Sequence, residues 1–261
     1  MPKFMQIVYV LGSTRSGTSA LRNAIAETRF SGYGEGHLTP ILSDLLDNIE
    51  GHRVSGTGAA ERGTGLFSLK PNVLIRHFFH GYERYLASQF ESEFIVDKTP
   101  TVDPIRMSPL LNKYHVNAKF IYCVRRHVDN VQSKRKKFAD HPFPSHCREW
   151  AACHESWLKS KVELNDNFLE MDFHRLVTEP SRVAQEIATY LELPEPEMRD
   201  IEEYLLQARP ETSKNRDLTQ FLKLSEIPWT SEEKQIFQRI CGKVGTQLNY
   251  GYDTYFDNPG V

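Results

Sequence analysis

The feature that most constrains this chain is a short glycine-framed turn near its amino terminus. Residues 5–11 are mostly apolar and β-branched, which predicts a buried strand, and residues 18–28 have the apolar spacing of a helix. The turn Gly12-Ser-Thr-Arg-Ser-Gly-Thr-Ser19 joins the two. Such a turn is typical of a phosphate-binding loop, in which backbone N–H groups and the positive helix end face an anion.

The cation of this turn is in an unusual position. A nucleotide triphosphatase of the P-loop type needs a Lys after the second Gly, then a Ser or Thr for magnesium. Here Thr18 follows Gly17, and the cation is Arg15, inside the turn. A planar guanidinium binds phosphate or sulfate oxygens through two parallel bonds and keeps its charge. The sequence therefore predicts an anion site without the magnesium ligands of a triphosphatase.

The rest of the chain alternates between apolar and amphipathic segments. Further strands are predicted over 94–100, 118–124 and 167–172, and a glycine-rich surface loop over 51–65. Helices are predicted over 72–90, from about 128, and over 148–163, 180–191, 196–207 and 231–244. This alternation favours an α/β fold with a parallel β-sheet flanked by helices. No linker divides the chain, so we expect a single domain over residues 1–261.

Composition excludes several classes of function. The formal net charge of −2 does not favour a nucleic-acid partner, so an anion site must be a local pocket. We expect no membrane span, because no run of about 18 apolar residues occurs, and no signal peptide before the first strand. The four cysteines lack zinc-ligand spacing, which favours reduced thiols and a cytoplasmic location.

Arg15-Ser16-Gly17-Thr18-Ser19 after an apolar strand resembles the 5′-phosphosulfate loop of sulfotransferases. These enzymes transfer a sulfuryl group from 3′-phosphoadenosine 5′-phosphosulfate (PAPS) to a hydroxyl or amine, without a metal. The resemblance is greatest to tyrosylprotein-type and bacterial members. It implies a P-loop nucleotide-binding-like sulfotransferase fold, with PAPS as co-substrate and 3′,5′-adenosine bisphosphate (PAP) as product.

A second anion element follows the third predicted strand. Arg125 and Ser133 have the spacing with which the family holds the donor's 3′-phosphate. The Arg leaves the carboxyl edge of the sheet, where ligands bind in open α/β sheets, and the Ser lies about two turns into the next helix. Arg126 and His127 replace the family's usual Asp and Pro, so either arginine could make the main contact; Arg125 fits the spacing. In tyrosylprotein sulfotransferases a cation near the nucleotide matches Lys137, whereas the run 134–137 otherwise predicts a solvated helix face.

The resemblance also implies the catalytic groups. Glu35 is the first candidate for the base that takes the acceptor proton, although Gly36 stands where tyrosylprotein sulfotransferases have a second Glu; His37 is the alternative base. Lys98, after the second strand, would stabilise the leaving group together with Arg15. A carboxylate base would work best at neutral pH with its pKa raised by burial.

The later segments are less specific. Ser213, Lys214 and Arg216 fall near where the family closes a loop over the donor, and the tail 248–259 is similar to that of the tyrosylprotein enzymes. The acceptor stays open between a tyrosyl peptide, a carbohydrate and a small molecule, as does the oligomeric state. The alternatives to a sulfotransferase are a magnesium-dependent P-loop kinase, with Asp97 as a weak ligand candidate, and a non-catalytic adenosine bisphosphate-binding protein.

Overall fold

Four parallel strands form the centre of the protein in a computed structural model, which describes residues 5–54, 70–207 and 220–257. The strands are β1 (Gln6–Gly12), β2 (Phe94–Lys98), β3 (Asn117–Val124) and β4 (Phe168–Asp172). Their order in the sheet is β2-β1-β3-β4, and every neighbouring pair is parallel. Because β1 lies between β2 and β3, the turns after these three strands meet at one edge of the sheet.

Helices connect and cover the strands. They are α1 (Thr18–Ala26), α2 (Thr39–Val54), α3 (Pro71–Phe90), α4 (Val102–Tyr114), α5 (His127–Lys137), α6 (Phe143–Ser160), α7 (Phe173–Thr178), α8 (Pro180–Leu191), α9 (Glu195–Gln207) and α10 (Ser231–Gln247). A 3₁₀ turn over Lys161–Leu164 follows α6. None of the described helices is long and apolar enough to cross a membrane.

The sheet separates two apolar cores because successive side chains of a strand point to opposite faces. Ile7, Tyr9 and Leu11 of β1 pack in one core, with α3 and α4, whereas Val8 and Val10 pack in the other, with α1 and α8. A third cluster joins α5, α6 and α10 to the tail of the chain. All β1 residues from 7 to 11 are buried, as expected for a strand covered on both sides.

The predicted fold class is confirmed, and several boundaries are wrong. Helices α2 and α4 were not predicted, and residues 51–54 of the predicted loop belong to α2. The remainder of that loop, 55–65, lies outside the described residues. Helix α6 begins before the predicted residue 148, and β2 ends before the predicted residue 100.

Candidate active site

The turn between β1 and α1 contains left-handed backbone conformations, which glycine adopts easily and other residues rarely do. Gly17 has φ +94°, and a Cβ there would lie 2.7 Å from the Phe173 ring. Arg15 also has a left-handed backbone, with φ +65°, which is uncommon for a residue with a side chain. Gly17 precedes α1 without any side-chain cap on the helix, so the first amides of α1 are arranged to bind an anion.

Asn130, which belongs to α5, stabilises the shape of this turn through hydrogen bonds. Its Nδ2 lies 3.2 Å from Ser13 Oγ, 2.9 Å from Ser16 Oγ and 3.0 Å from the Thr14 carbonyl oxygen. Asn130, Ser13 and Ser16 are all fully buried. Sequence reasoning missed Asn130, because a single Asn on a helix carries no signal of what it contacts.

The two predicted anion elements meet in the structure. Arg15 Nε donates to Ser133 Oγ at 3.2 Å, and Arg125 Nη1 donates to the Arg15 carbonyl oxygen at 2.8 Å. The Arg125 guanidinium also lies over the Phe173 ring, 4.1 Å from its centroid. Residues 118 positions apart therefore form one cationic cluster at the carboxyl edge of the sheet.

Arg126 has a different role from its neighbour. Its side chain is fully buried and donates to Asp129 Oδ2 at 2.8 Å, to the carbonyl oxygens of Gly251 at 3.0 Å and Thr254 at 2.6 Å, and to that of Leu222. Nε and both terminal nitrogens thus bind the protein itself. This geometry assigns Arg126 to holding the tail and leaves Arg125 as the arginine beside the anion turn.

Asp172 also holds the tail. Its carboxylate caps α7 by accepting from the His174 backbone N–H at 2.7 Å, and it accepts from the Tyr250 and Tyr255 hydroxyls at 2.5 Å each. One carboxylate thus joins the start of α7 to the tail of the chain.

The basic run at the end of α5 is not uniformly solvated, contrary to the prediction. Lys136 and Lys137 are exposed, but Lys134 is buried and forms an ion pair with Glu149 of α6. The role of Lys137 beside a nucleotide stays a prediction. Ser213, Lys214 and Arg216 lie outside the described residues.

The predicted catalytic groups lie together beyond β2. Lys98 is almost fully buried; its Nζ donates to Ser19 Oγ at 3.2 Å and forms an ion pair with Glu35 Oε1. His37 Nε2 lies 2.9 Å from Glu35 Oε2. A chain of contacts thus runs from the anion turn through Ser19 and Lys98 to the two candidate bases.

The pKa of Glu35 differs from the expectation. Partial burial raises it, but the hydrogen bonds from Lys98 and His37 outweigh burial and hold the pKa below its usual value. Glu35 therefore lacks the raised pKa that would suit a base at neutral pH, because the carboxylate is half exposed and paired.

Position 36 has no room for a side chain. A Cβ on Gly36 would lie 2.0 Å from Asp97 Oδ1. The Gly36 N–H donates to the Lys98 carbonyl oxygen at 3.1 Å, and the His37 N–H to Thr99 Oγ1 at 2.9 Å, so this turn lies flat on β2. Any side chain at position 36 would displace the turn that carries Glu35.

Asp97 is the buried neighbour of this cluster. It accepts from Thr39 Oγ1 at 3.2 Å, and burial raises its pKa to about 6. Within residues 5–54, 70–207 and 220–257, no cluster of His, Cys, Asp and Glu side chains could hold a metal ion. Asp97 therefore contributes to the packing of the Gly36 turn and does not belong to a ligand cluster there.

Comparison with known proteins supports the fold class predicted from the sequence. The sequence model of the sulfotransferase family matches residues 7–197. Sequence comparison with curated proteins finds no match.

Solved structures share the fold at low identity. The sulfotransferase domain of the Synechococcus PCC 7002 olefin synthase is 16% identical, with a TM-score of 0.56 over 96% of this chain and 98% of that domain. The sulfotransferase domain of the curacin biosynthetic pathway is 18% identical, with a TM-score of 0.55 over 95% and 99%. Sulfotransferase STF9 from Mycobacterium avium is 12% identical, with a TM-score of 0.58 over 97% and 79%.

Proposed function

The chain belongs to the sulfotransferase family, and on that premise we propose that it transfers a sulfuryl group from PAPS to an acceptor hydroxyl. The observation that carries the proposal is the contact between Arg15 and Ser133, 3.2 Å, with Arg125 on the Arg15 carbonyl oxygen. One nucleotide with anions on its 3′ and 5′ positions can bind both elements, because the two elements adjoin at the same edge of the sheet.

The donor's 5′-phosphosulfate binds the turn from Arg15 to Ser19, where backbone amides and a guanidinium supply donors. Its 3′-phosphate binds Arg125 and Ser133. Lys137 and the segment with Ser213, Lys214 and Arg216 contribute further contacts to the nucleotide. The product PAP binds through the same contacts, apart from those to the transferred sulfuryl group.

The reaction is an in-line displacement at sulfur. Glu35 accepts the proton of the acceptor hydroxyl, the acceptor oxygen forms a bond to sulfur, and the bond between sulfur and the phosphate oxygen breaks. Lys98 and Arg15 stabilise the negative charge that develops on the leaving phosphate. When Lys98 turns from Glu35 toward the donor, the carboxylate loses the ion pair that lowers its pKa and becomes a stronger base.

His37 is the alternative base, and its contact with Glu35 also allows a positioning role. Replacing Glu35 by Gln and His37 by Asn, each alone, separates the two. Loss of the base lowers kcat by about 10²–10⁴-fold, whereas loss of a positioning group lowers it less. The matched control is E27Q, which removes an exposed carboxylate at the end of α1. If both site variants keep full turnover, the assignment of this segment is wrong.

Calorimetry with PAP tests the donor. We expect binding heat and a rise in melting temperature, because a ligand that binds only the folded state stabilises it. No heat and no thermal protection would refute the proposal. A magnesium-dependent kinase is less favoured, since Asp97 binds Thr39 within the fold; ATP turnover that requires magnesium would revive it.

The acceptor, the cytoplasmic location, independence of metal ions and the single domain over residues 1–261 stay predictions. A screen with radiolabelled donor against phenols, tyrosyl peptides and glycans identifies the hydroxyl that is used. We expect no nucleic acid or membrane among the partners.

A further inference from the structure

A carboxylate contacts the anion-binding turn. Glu149 of α6 accepts from the Thr14 backbone N–H through Oε1, at 3.1 Å. The turn from Gly12 to Ser19 is where the proposed function requires a highly charged anion to bind. A negative charge on the turn would oppose that anion, unless a cation compensates it.

The compensating cation is Lys134 of α5. Its side chain is 1% exposed, and its Nζ forms an ion pair with Glu149 Oε2, the oxygen that does not bind the turn. A lysine is rarely buried to this extent unless it is paired. One carboxylate therefore joins a backbone amide of the turn on one side and the buried Lys134 side chain on the other. Burial lowers the pKa of Lys134 to about 7, and the adjacent carboxylate favours its charged form.

The helix that carries Glu149 braces both anion elements. Trp150, the next residue on α6, donates from Nε1 to the Arg125 carbonyl oxygen at 3.0 Å. Cys153, one turn further, lies with its Sγ 3.6 Å from Glu149 Oε1. Adjacent residues of α6 thus contact the β1–α1 turn and the end of β3, the two places where the donor's anions bind.

We propose that Lys134 and Glu149 form a neutral strut that holds the anion-binding turn in the shape the donor needs, which makes them positioning residues for the sulfuryl donor. The proposal rests on the proposed function, because the donor is its ligand. Glu149 supplies the hydrogen-bond acceptor that fixes Thr14, and Lys134 cancels the charge that this acceptor brings to the turn. Neither side chain touches the reacting atoms.

If Lys134 and Glu149 act through their charges, their variants should bind PAP in an order of affinities that a role in packing alone would not produce. K134M leaves Glu149 uncompensated at the turn, and we expect its dissociation constant for PAP to rise about tenfold or more. E149Q keeps an oxygen for Thr14 without the charge, so we expect its dissociation constant to rise less than that of K134M. The double variant K134M/E149Q recovers to within about threefold of E149Q, because the uncompensated charge is gone.

The experiment is calorimetry with PAP on the full chain, with thermal unfolding of each variant measured in parallel. K136M, which removes an exposed lysine from the same helix, controls for net charge. In turnover K134M should raise the KM for PAPS and change kcat little.

A double variant as weak as K134M would overturn the strut, since Lys134 would then act through packing alone. So would a K134M variant that binds PAP like wild type. If K134M does not fold, E149D decides: it keeps the charge but is too short to reach Thr14, so affinity must fall, and unchanged affinity overturns the proposal. A wild-type chain that does not bind PAP overturns the proposed function and the strut with it.

Discussion

Replacing Arg126 by Met should destabilise the fold strongly, whereas the same change at the adjacent Arg125 should weaken donor binding and leave the fold nearly intact. Both residues leave the carboxyl end of β3, and nothing in their side-chain type distinguishes them. The structure separates them by what their guanidinium groups contact. Arg126 binds the tail of the chain, and Arg125 binds the anion turn.

The cost of losing Arg126 follows from its burial. R126M removes the partner of Asp129, whose side chain is 12% exposed, and leaves the carbonyl oxygens of Gly251 and Thr254 without this donor. Breaking a buried ion pair by removing one member costs about 3–5 kcal/mol. With a urea m-value of about 2–3 kcal/mol/M, the unfolding midpoint should fall by about 1–2.5 M.

The cost of losing Arg125 is smaller. R125M loses the hydrogen bond to the Arg15 carbonyl oxygen and the contact over Phe173, and these two contacts contribute about 1–2 kcal/mol of stability. Its effect on PAP is larger in relative terms. Loss of the charge-assisted bonds to the 3′-phosphate that the proposed function gives to Arg125, about 3 kcal/mol, should raise the dissociation constant about 100-fold.

Urea unfolding followed by circular dichroism and calorimetry with PAP measure the two effects on the same samples. R148M, at an exposed arginine of α6, is the matched control and should change neither quantity. The reasoning is refuted if R125M lowers the midpoint more than R126M does. It is equally refuted if R126M keeps a wild-type midpoint and loses PAP binding.

Three further predictions concern the turns of the site. Burial raises the folded pKa of Asp97 to about 6, so its stabilising contribution is present at low pH and is lost as the pH rises through that value. D97N lacks this titration and should gain about 2 kcal/mol of stability relative to wild type between about pH 4 and pH 8. Urea midpoints measured across this range test the sign. G36A should lower kcat strongly and change the urea midpoint of unfolding little, because its Cβ displaces the turn that carries Glu35. A kcat equal to that of wild type would contradict this prediction. N130D should weaken PAP binding measured by calorimetry, because a carboxylate has no N–H for the Thr14 carbonyl oxygen; unchanged affinity would argue against this role of Asn130.

The elements that the sequence predicts well are those whose signal is local. The β1–α1 unit has an apolar strand and a glycine-framed turn, and the structure has both. Helix α4 was missed because Pro104 and Pro109 normally argue against a helix. Pro104 falls in the first turn, where a missing N–H removes no helical bond, so it is compatible with the start of α4.

Spacing within one motif predicted which residues the structure brings beside the anion turn. Residues that reach the turn only through tertiary packing were missed. Arg125 and Ser133 follow from their spacing on one strand and helix. Lys134, the next residue, was expected in solvent because it opens a basic run; only the packing of α6 against α5 buries it beside Glu149. No pattern in the sequence pairs a lysine of one helix with a glutamate of the next.

The shape of the anion turn is therefore not a local property of Gly12–Ser19. Gly17 permits the backbone conformation, but groups from three other elements hold it: Asn130 from α5, Glu149 from α6 and Lys98 from β2. Transferring the turn to another scaffold would carry over its glycines and its arginine, but none of these three partners. Because pre-organised groups bind an anion without a cost of reordering, we expect the affinity for the donor to depend on these partners as well as on the motif.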